Sequence, residues 1–249
     1  MLRKGRLSGK MDKLASEYTS SMRDDPRIFD PVVQINAAHV LMLAEQGILE
    51  KPASKKIISA LSSLQKTGIA GLDLKPELED LHMAVEKYVI GKAGEKVGGK
   101  LHTAKSRNDQ VATAIRMVLR SEILDIQEET LELVKALVRL AARNTKTAMP
   151  GYTHLQVAQP TTFAHHLTAY AQRFSRDISR LGEAYERVNF CPMGACALAG
   201  TGFPISRARV SELLGFDRVI TNTMDAVSSR DSALEAMSGL AILMSGLSR

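Results

Sequence analysis

Two stretches of this chain carry side chains whose types and spacing could do chemistry. The first is Met149–Pro160, MPGYTHLQVAQP, which holds His154 in a segment that cannot be regular helix. Pro150 and Gly151 break what comes before, and Pro160 stands where a new helix could begin. An imidazole, with an ordinary pKa of about 6.5, suits proton traffic near neutrality when it is held on a short connector between rigid elements. The same histidine could instead cap a helix end. The second stretch is Ser106-Arg107-Asn108-Asp109-Gln110. If a helix starts here, its free backbone N–H groups favour an anion. Arg107 adds a bidentate fork for a carboxylate, and the Asn108 amide can both donate and accept. The alternative is a capped, solvated helix start.

Other patterns lead to less. Gly94-x-x-x-x-Gly99-Lys100 is followed by Leu101, where a phosphate loop needs Ser or Thr, and the segment before it reads as helix, not strand. A mobile, basic loop is expected over residues 91–105. Arg230 and Asp231, in SSRD, read as a surface ion pair. His165 and His166 are adjacent on a helix and face different ways, so they cannot form an i, i+4 metal pair. No metal site and no cofactor is expected. His39 and His82 lie in amphipathic patterns and read as structural. Cys191 and Cys196, in CPMGAC, form neither a CxxC pair nor a disulfide framework, which fits a reduced, cytoplasmic setting. There is no Gly-x-Ser-x-Gly elbow for a serine nucleophile.

The elements that must position these groups read as helices. The chain has 249 residues, 45% of them apolar and only 4% aromatic, with no Trp. That composition supports a sizeable core and favours helix over sheet. The net charge of +6, from 33 basic and 27 acidic residues, is spread along the chain. It hints at acidic small molecules and argues against nucleic acid, because the basic residues are not gathered with aromatics. No apolar run is long enough for a membrane span, and the basic N-terminus MLRKGRLSGKMDK lacks the apolar core of a signal peptide. Residues 1–29 read as irregular. Helices are expected from Asp30–Pro31 to Gln46 with Gly47 as the stop, from Pro52 to Thr67 before Gly68, and from Pro76 to Ile90 before Gly91. A long helix capped by Ser106 should run to about Thr145. A second follows Pro160, with an apolar seam of Phe163, Leu167, Tyr170, Phe174, Ile178, Leu181, Tyr185 and Val188. A short helix is expected from Ser206 to Leu214, and a third rod from Asp225 to the end. The fold class is therefore all-α: a small helical N-terminal domain, residues 1–105, then part of a long-helix bundle, residues 106–249. Seams this long need more helices to cover them, from other copies or from further chain.

HTAKSRNDQVAT (102–113), MPGYTHLQVAQPTTFAHHLTAY (149–170), PMGACALAGTGFPISR (192–207) and NTMDAVSSRD (222–231) together resemble the argininosuccinate lyase family, within the fumarase/aspartase superfamily. EDLHMAVE (79–86) and TSSMRDD (19–25) fit the same pattern. The resemblance implies a cytoplasmic enzyme of arginine biosynthesis that splits argininosuccinate into arginine and fumarate by acid/base β-elimination. It further implies an all-helical homotetramer whose active sites are shared between subunits. His154 takes the acid/base position, with Thr153 beside it on the substrate. Ser21 and Asn108 match substrate-binding positions, and Arg107, Asp80 and Arg230 are further pocket candidates. The chain departs from the family pattern at Ala104 and Lys105, where Gly and Arg are usual, at Cys196, where Gly is usual, and at Ser206, where Asp is usual. If position 196 needs a positive φ, Cys196 is strained. The superfamily's Gly-Ser-Ser loop would follow residue 249, so residues 1–249 alone are expected not to turn over argininosuccinate. The runners-up are another lyase of the same superfamily and a non-catalytic structural protein on the lyase fold.

Overall fold

A computed structural model describes residues 12–75 and 78–249. Among these residues the fold is all-α, with only two small pairs of strands. It falls into two compact units, one of residues 1–118 with 190–229, the other of residues 119–189 with 230–249. The division between these compact units falls within a helix, at 118/119.

In the first unit, α1 (Lys13–Thr19) is N-capped by Asp12, whose carboxylate accepts the Leu14 and Ala15 N–H groups. This corrects the expectation of irregular chain there; the part of that stretch before residue 12 lies outside the described residues. Next come α2 (Phe29–Glu45) and α3 (Lys51–Thr67), which end at Gly47 and Gly68, both at positive φ. α4 (Leu81–Ala93) starts later than Pro76, a position outside the described residues. Its N-cap is Asp80, which takes the Met83 N–H at 2.7 Å. It also runs through Gly91 and stops at Gly94. Residues 91–105 are not a loose loop: α5 (Glu95–Gly98) and a 3-10 turn (Gly99–His102) fold tightly back on α4. Gly98 is required there, since a Cβ would lie 2.5 Å from the Ile90 Cα. Val32, Ile35, Leu43, Ile57, Leu61, Leu64, Leu81, Val85 and Leu101 form the core. α8 (Arg207–Leu213), capped by Ser206 and stopped by Gly215, and α9 (Thr223–Ser228) complete the unit, with a short parallel pair between β3 (Phe190–Cys191) and β4 (Arg218–Val219).

α6 (Arg107–Ala142) begins in the first unit and supplies the first rod of the second. Ser106 and Asp109 form a reciprocal cap: Ser106 Oγ accepts the Asn108 N–H at 3.3 Å, and Asp109 Oδ1 accepts the Ser106 N–H at 3.1 Å. The segment after α6 is an antiparallel hairpin of β1 (Ala148–Thr153) and β2 (Gln156–Thr162). Pro160 therefore lies inside a strand, not at a helix start. α7 (Phe163–Val188) begins after its cap Thr162 and buries Leu167, Phe174, Leu181 and Val188 from the expected seam. The expected last rod is two helices, α9 and α10 (Asp231–Leu247), because Ser229 turns extended and breaks the run. Ile123, Phe174, Leu181, Val188, Ala236 and Leu243 make this unit's core. Leu234, Met237, Ile242, Met244 and Leu247 on α10, and Leu124, Leu131, Val138 and Leu140 on α6, stay exposed.

Candidate active site

The motif residues of the first unit converge through one continuous set of hydrogen bonds. Ser21 donates its backbone N–H to the Glu79 carbonyl at 2.9 Å and its hydroxyl to Asp25 Oδ2 at 2.9 Å. The same Asp25 oxygen accepts the Leu81 N–H at 2.8 Å, which ties the TSSMRDD stretch to the start of α4. Asp80 then meets Arg107, Nε to Oδ2 at 2.8 Å. Arg107 Nη1 donates to Glu86 Oε1 at 3.3 Å and to Gln110 Oε1 at 3.0 Å. Glu86 Oε1 also meets His102 Nδ1 at 2.7 Å. Three of the expected residues, Ser21, Asp80 and Arg107, are joined by this set, and Asn108 follows Arg107 in the first turn of α6.

Arg107 is engaged on both Nε and Nη1 by protein groups, so its guanidinium is a brace between α4 and α6 rather than an open fork. Burial pushes the Asp80 carboxyl above its ordinary range, outweighing the Arg107 charge beside it. Burial acts upward on Glu86 too, but the His102 hydrogen bond and the Arg107 charge outweigh it and leave the group below its ordinary range. Glu86 and His102 were not singled out from sequence, and Gln110 only as the end of the stretch 106–110. The signal for Glu86 was its place four residues after His82, on the same face of α4.

Asn108 is exposed and donates Nδ2–H to the Ala197 carbonyl at 2.9 Å. Lys105 is fully enclosed, and burial pulls its ammonium down to about 7; its Nζ donates to Asn36 Oδ1. Ala104 and Cys196, the two positions where the family pattern has glycine, both adopt left-handed backbone, with φ of 56° and 54°. The expected strain at Cys196 is therefore present, and Ala104 shares it. The two residues touch, Cys196 Sγ to the Ala104 carbonyl at 3.5 Å. Neither cysteine is in a disulfide among the described residues, and both are buried. His39 and His82, read as structural, are buried, and burial holds both imidazoles down to about 3, the neutral form.

His154 and Thr153 stand at the tip of the hairpin in the second unit. Thr153 pairs with Gln156, so His154 and Leu155 form a two-residue loop, with φ of 51° and 62°. Positive φ at both positions is the geometry of a type I′ turn, whose twist matches the flanking strands. Gly151 permits the irregularity next to Pro150, because a Cβ there would lie 2.7 Å from the Gln159 carbonyl. The imidazole is exposed, with no hydrogen bond to the protein among the described residues. Arg230 is the exposed N-cap residue of α10 in the same unit. Among the described residues no group of His, Cys, Asp or Glu is arranged to hold a metal. No helix among them is long and apolar enough to cross a membrane.

A family model described as Lyase matches residues 5–249. The chain belongs to the Lyase family. Across the full chain, this Lyase-family member is 47% identical to the argininosuccinate lyase of Methanocaldococcus jannaschii and 49% identical to that of Methanosarcina barkeri. It covers 51% and 50% of those proteins, so it spans about half the length of the curated relatives it matches. A crystal structure of EDDS lyase in complex with formate aligns with a TM-score of 0.84 at 34% identity, over 98% of this chain and 48% of that one. An EDDS lyase variant with bound fumarate aligns with a TM-score of 0.83 at 35% identity, over 99% of this chain and 49% of that one. These neighbours fit the all-α, fumarase/aspartase-like fold class.

Proposed function

We propose that the natural protein carrying this chain is an argininosuccinate lyase of arginine biosynthesis, releasing arginine and fumarate. The observation that carries this reading is the 47–49% identity to proteins of that name along the whole chain. The reaction removes a proton from the carbon next to a carboxylate and then breaks a C–N bond. Negative charge builds on that carboxylate first, so fixed hydrogen-bond donors lower the barrier. The departing guanidino nitrogen needs a proton from a general acid. In this reading His154 moves the proton, Thr153 binds substrate beside it, and Asn108 and Ser21 contribute an amide and a hydroxyl. Asp80 and Arg107 hold that neighbourhood in shape, and Arg230 is a further charge for the substrate. The exposed faces of α6 and α10 are covered by further bundle helices in a cytoplasmic homotetramer with shared active sites, residues 106–249 serving as part of the central bundle. The fumarate in the EDDS lyase variant is the product this chemistry would release.

The test offers the purified natural protein argininosuccinate, adenylosuccinate and aspartate in turn and follows fumarate by its ultraviolet absorbance. Fumarate from argininosuccinate, with equimolar arginine, is the expected result. Release from another of these substrates alone would overturn the substrate assignment. A folded oligomer silent toward all three would favour a structural role.

A further inference from the structure

Asp109 has no part in the chemistry above, yet both oxygens of its carboxylate are engaged. It is completely buried. Oδ1 accepts the Ser106 N–H at 3.1 Å, and Oδ2 accepts two backbone N–H groups from a distant segment, Gly194 at 3.1 Å and Cys196 at 2.8 Å. Charge-assisted bonds of this kind are stronger than neutral ones. They fasten the turn at 194–196 to the start of the helix, and the next residue in that turn, Ala197, directs its carbonyl at Asn108 Nδ2.

We propose that Asp109 is a positioning residue, which sets the orientation of the Asn108 side-chain amide by holding the 194–197 turn in place. This rests on the reading of Asn108 as a substrate-binding residue. A carbonyl can be met only by the NH2 side of an amide, so the Ala197 oxygen fixes which way Asn108 is turned. Its Oδ1 and second N–H are then left to face a substrate. The turn depends on Asp109 because Cys196 is held at a φ of 54°, a conformation that residues with side chains rarely keep unsupported. Without its bond to Oδ2, Cys196 relaxes to negative φ and carries the neighbouring carbonyl away from Asn108.

The test is a double-mutant cycle in the natural protein, with argininosuccinate as substrate. Asp109→Asn keeps the shape but sets an NH2 group against at least one backbone N–H. The expected loss in kcat/KM is on the order of 10- to 100-fold, the scale of a small misplacement of a binding group. In an Asn108→Ala background the same change should cost less than about 3-fold, because the group it positions is gone. Equal losses in both backgrounds would overturn the proposal and leave Asp109 a general fold residue. A second readout needs no substrate. In Asp109→Asn the Asn108 side-chain amide resonances should shift and the Cys196 N–H should exchange faster; unchanged signals would overturn the proposal. If Asp109→Asn folds poorly, the change is made in Cys196→Gly, where the left-handed turn carries no side-chain strain and needs Asp109 less; there it should cost less than about 3-fold in kcat/KM, and a loss of roughly 10- to 100-fold would overturn the proposal. An unmutated protein inactive on argininosuccinate would sink the functional reading instead, and the resonance test would still decide the role of Asp109.

Discussion

Arg107 and His154 both come from motif stretches that carry the family resemblance, but their surroundings are opposite. Arg107 is 27% exposed and tied to Asp80, Glu86 and Gln110, and Glu86 in turn is only 4% exposed and shared with His102. His154 stands on a two-residue turn beside Leu155, which is 94% exposed. In the first unit, geometry comes from side chains bonded to one another. At the hairpin it comes from backbone alone, and the side chains stay uncommitted. A group that must move a proton is better left uncommitted than locked in an ion pair, whereas groups that shape a binding surface gain from mutual bracing.

The contrast gives predictions of decreasing size. Arg107→Met leaves Asp80 and Glu86 without their shared cation; because Arg107 is 27% exposed and Glu86 keeps His102, the cost should be about 2 kcal/mol, below that of a fully buried pair. A urea unfolding midpoint close to that of the unmutated protein would break the comparison at its stronger end. Next comes acid. His39 and His82 titrate near 3 when folded and about 6.5 when unfolded, so the unfolded chain binds the extra protons in between. Stability should be full above about pH 6.5 and fall as pH drops toward 3, and His82→Phe should flatten that fall in a pH series of melting curves. At the hairpin, Leu155→Gly removes a left-handed side chain and should stabilise the fold by about 1 kcal/mol, read from the melting midpoint. Ala104→Gly relieves the same strain at the same cost in unfolded-chain freedom but also gives up a methyl packed against the core, so its gain should be roughly 0.5 kcal/mol. His154→Asn should leave the midpoint where it is, since Asn suits a left-handed turn.

Helix ends were legible because their signals are local: Gly47, Gly68 and Gly215 stop helices, and Ser106 and Ser206 start them. The hairpin was hidden because its turn is His-Leu rather than Asn-Gly, and both strands contain proline, which a two-stranded ribbon tolerates at its edges. The packed 91–105 segment looked loose because glycine marks close backbone approach as well as flexibility, and only Ile90 behind Gly98 tells the two apart. His154, Asn108 and Ser21 could be named from motifs. The brace through Glu86 and His102, and the turn held by Asp109, join residues far apart in sequence, and no local pattern reports such pairs.

The most direct measurement is kcat/KM for fumarate release from argininosuccinate by the natural protein and by His154→Asn. Because that change removes the titratable group without disturbing the turn, the account predicts a loss of about 100- to 10,000-fold at an unchanged melting midpoint. A variant that keeps the full rate would show that the imidazole at the hairpin tip carries no proton in the reaction.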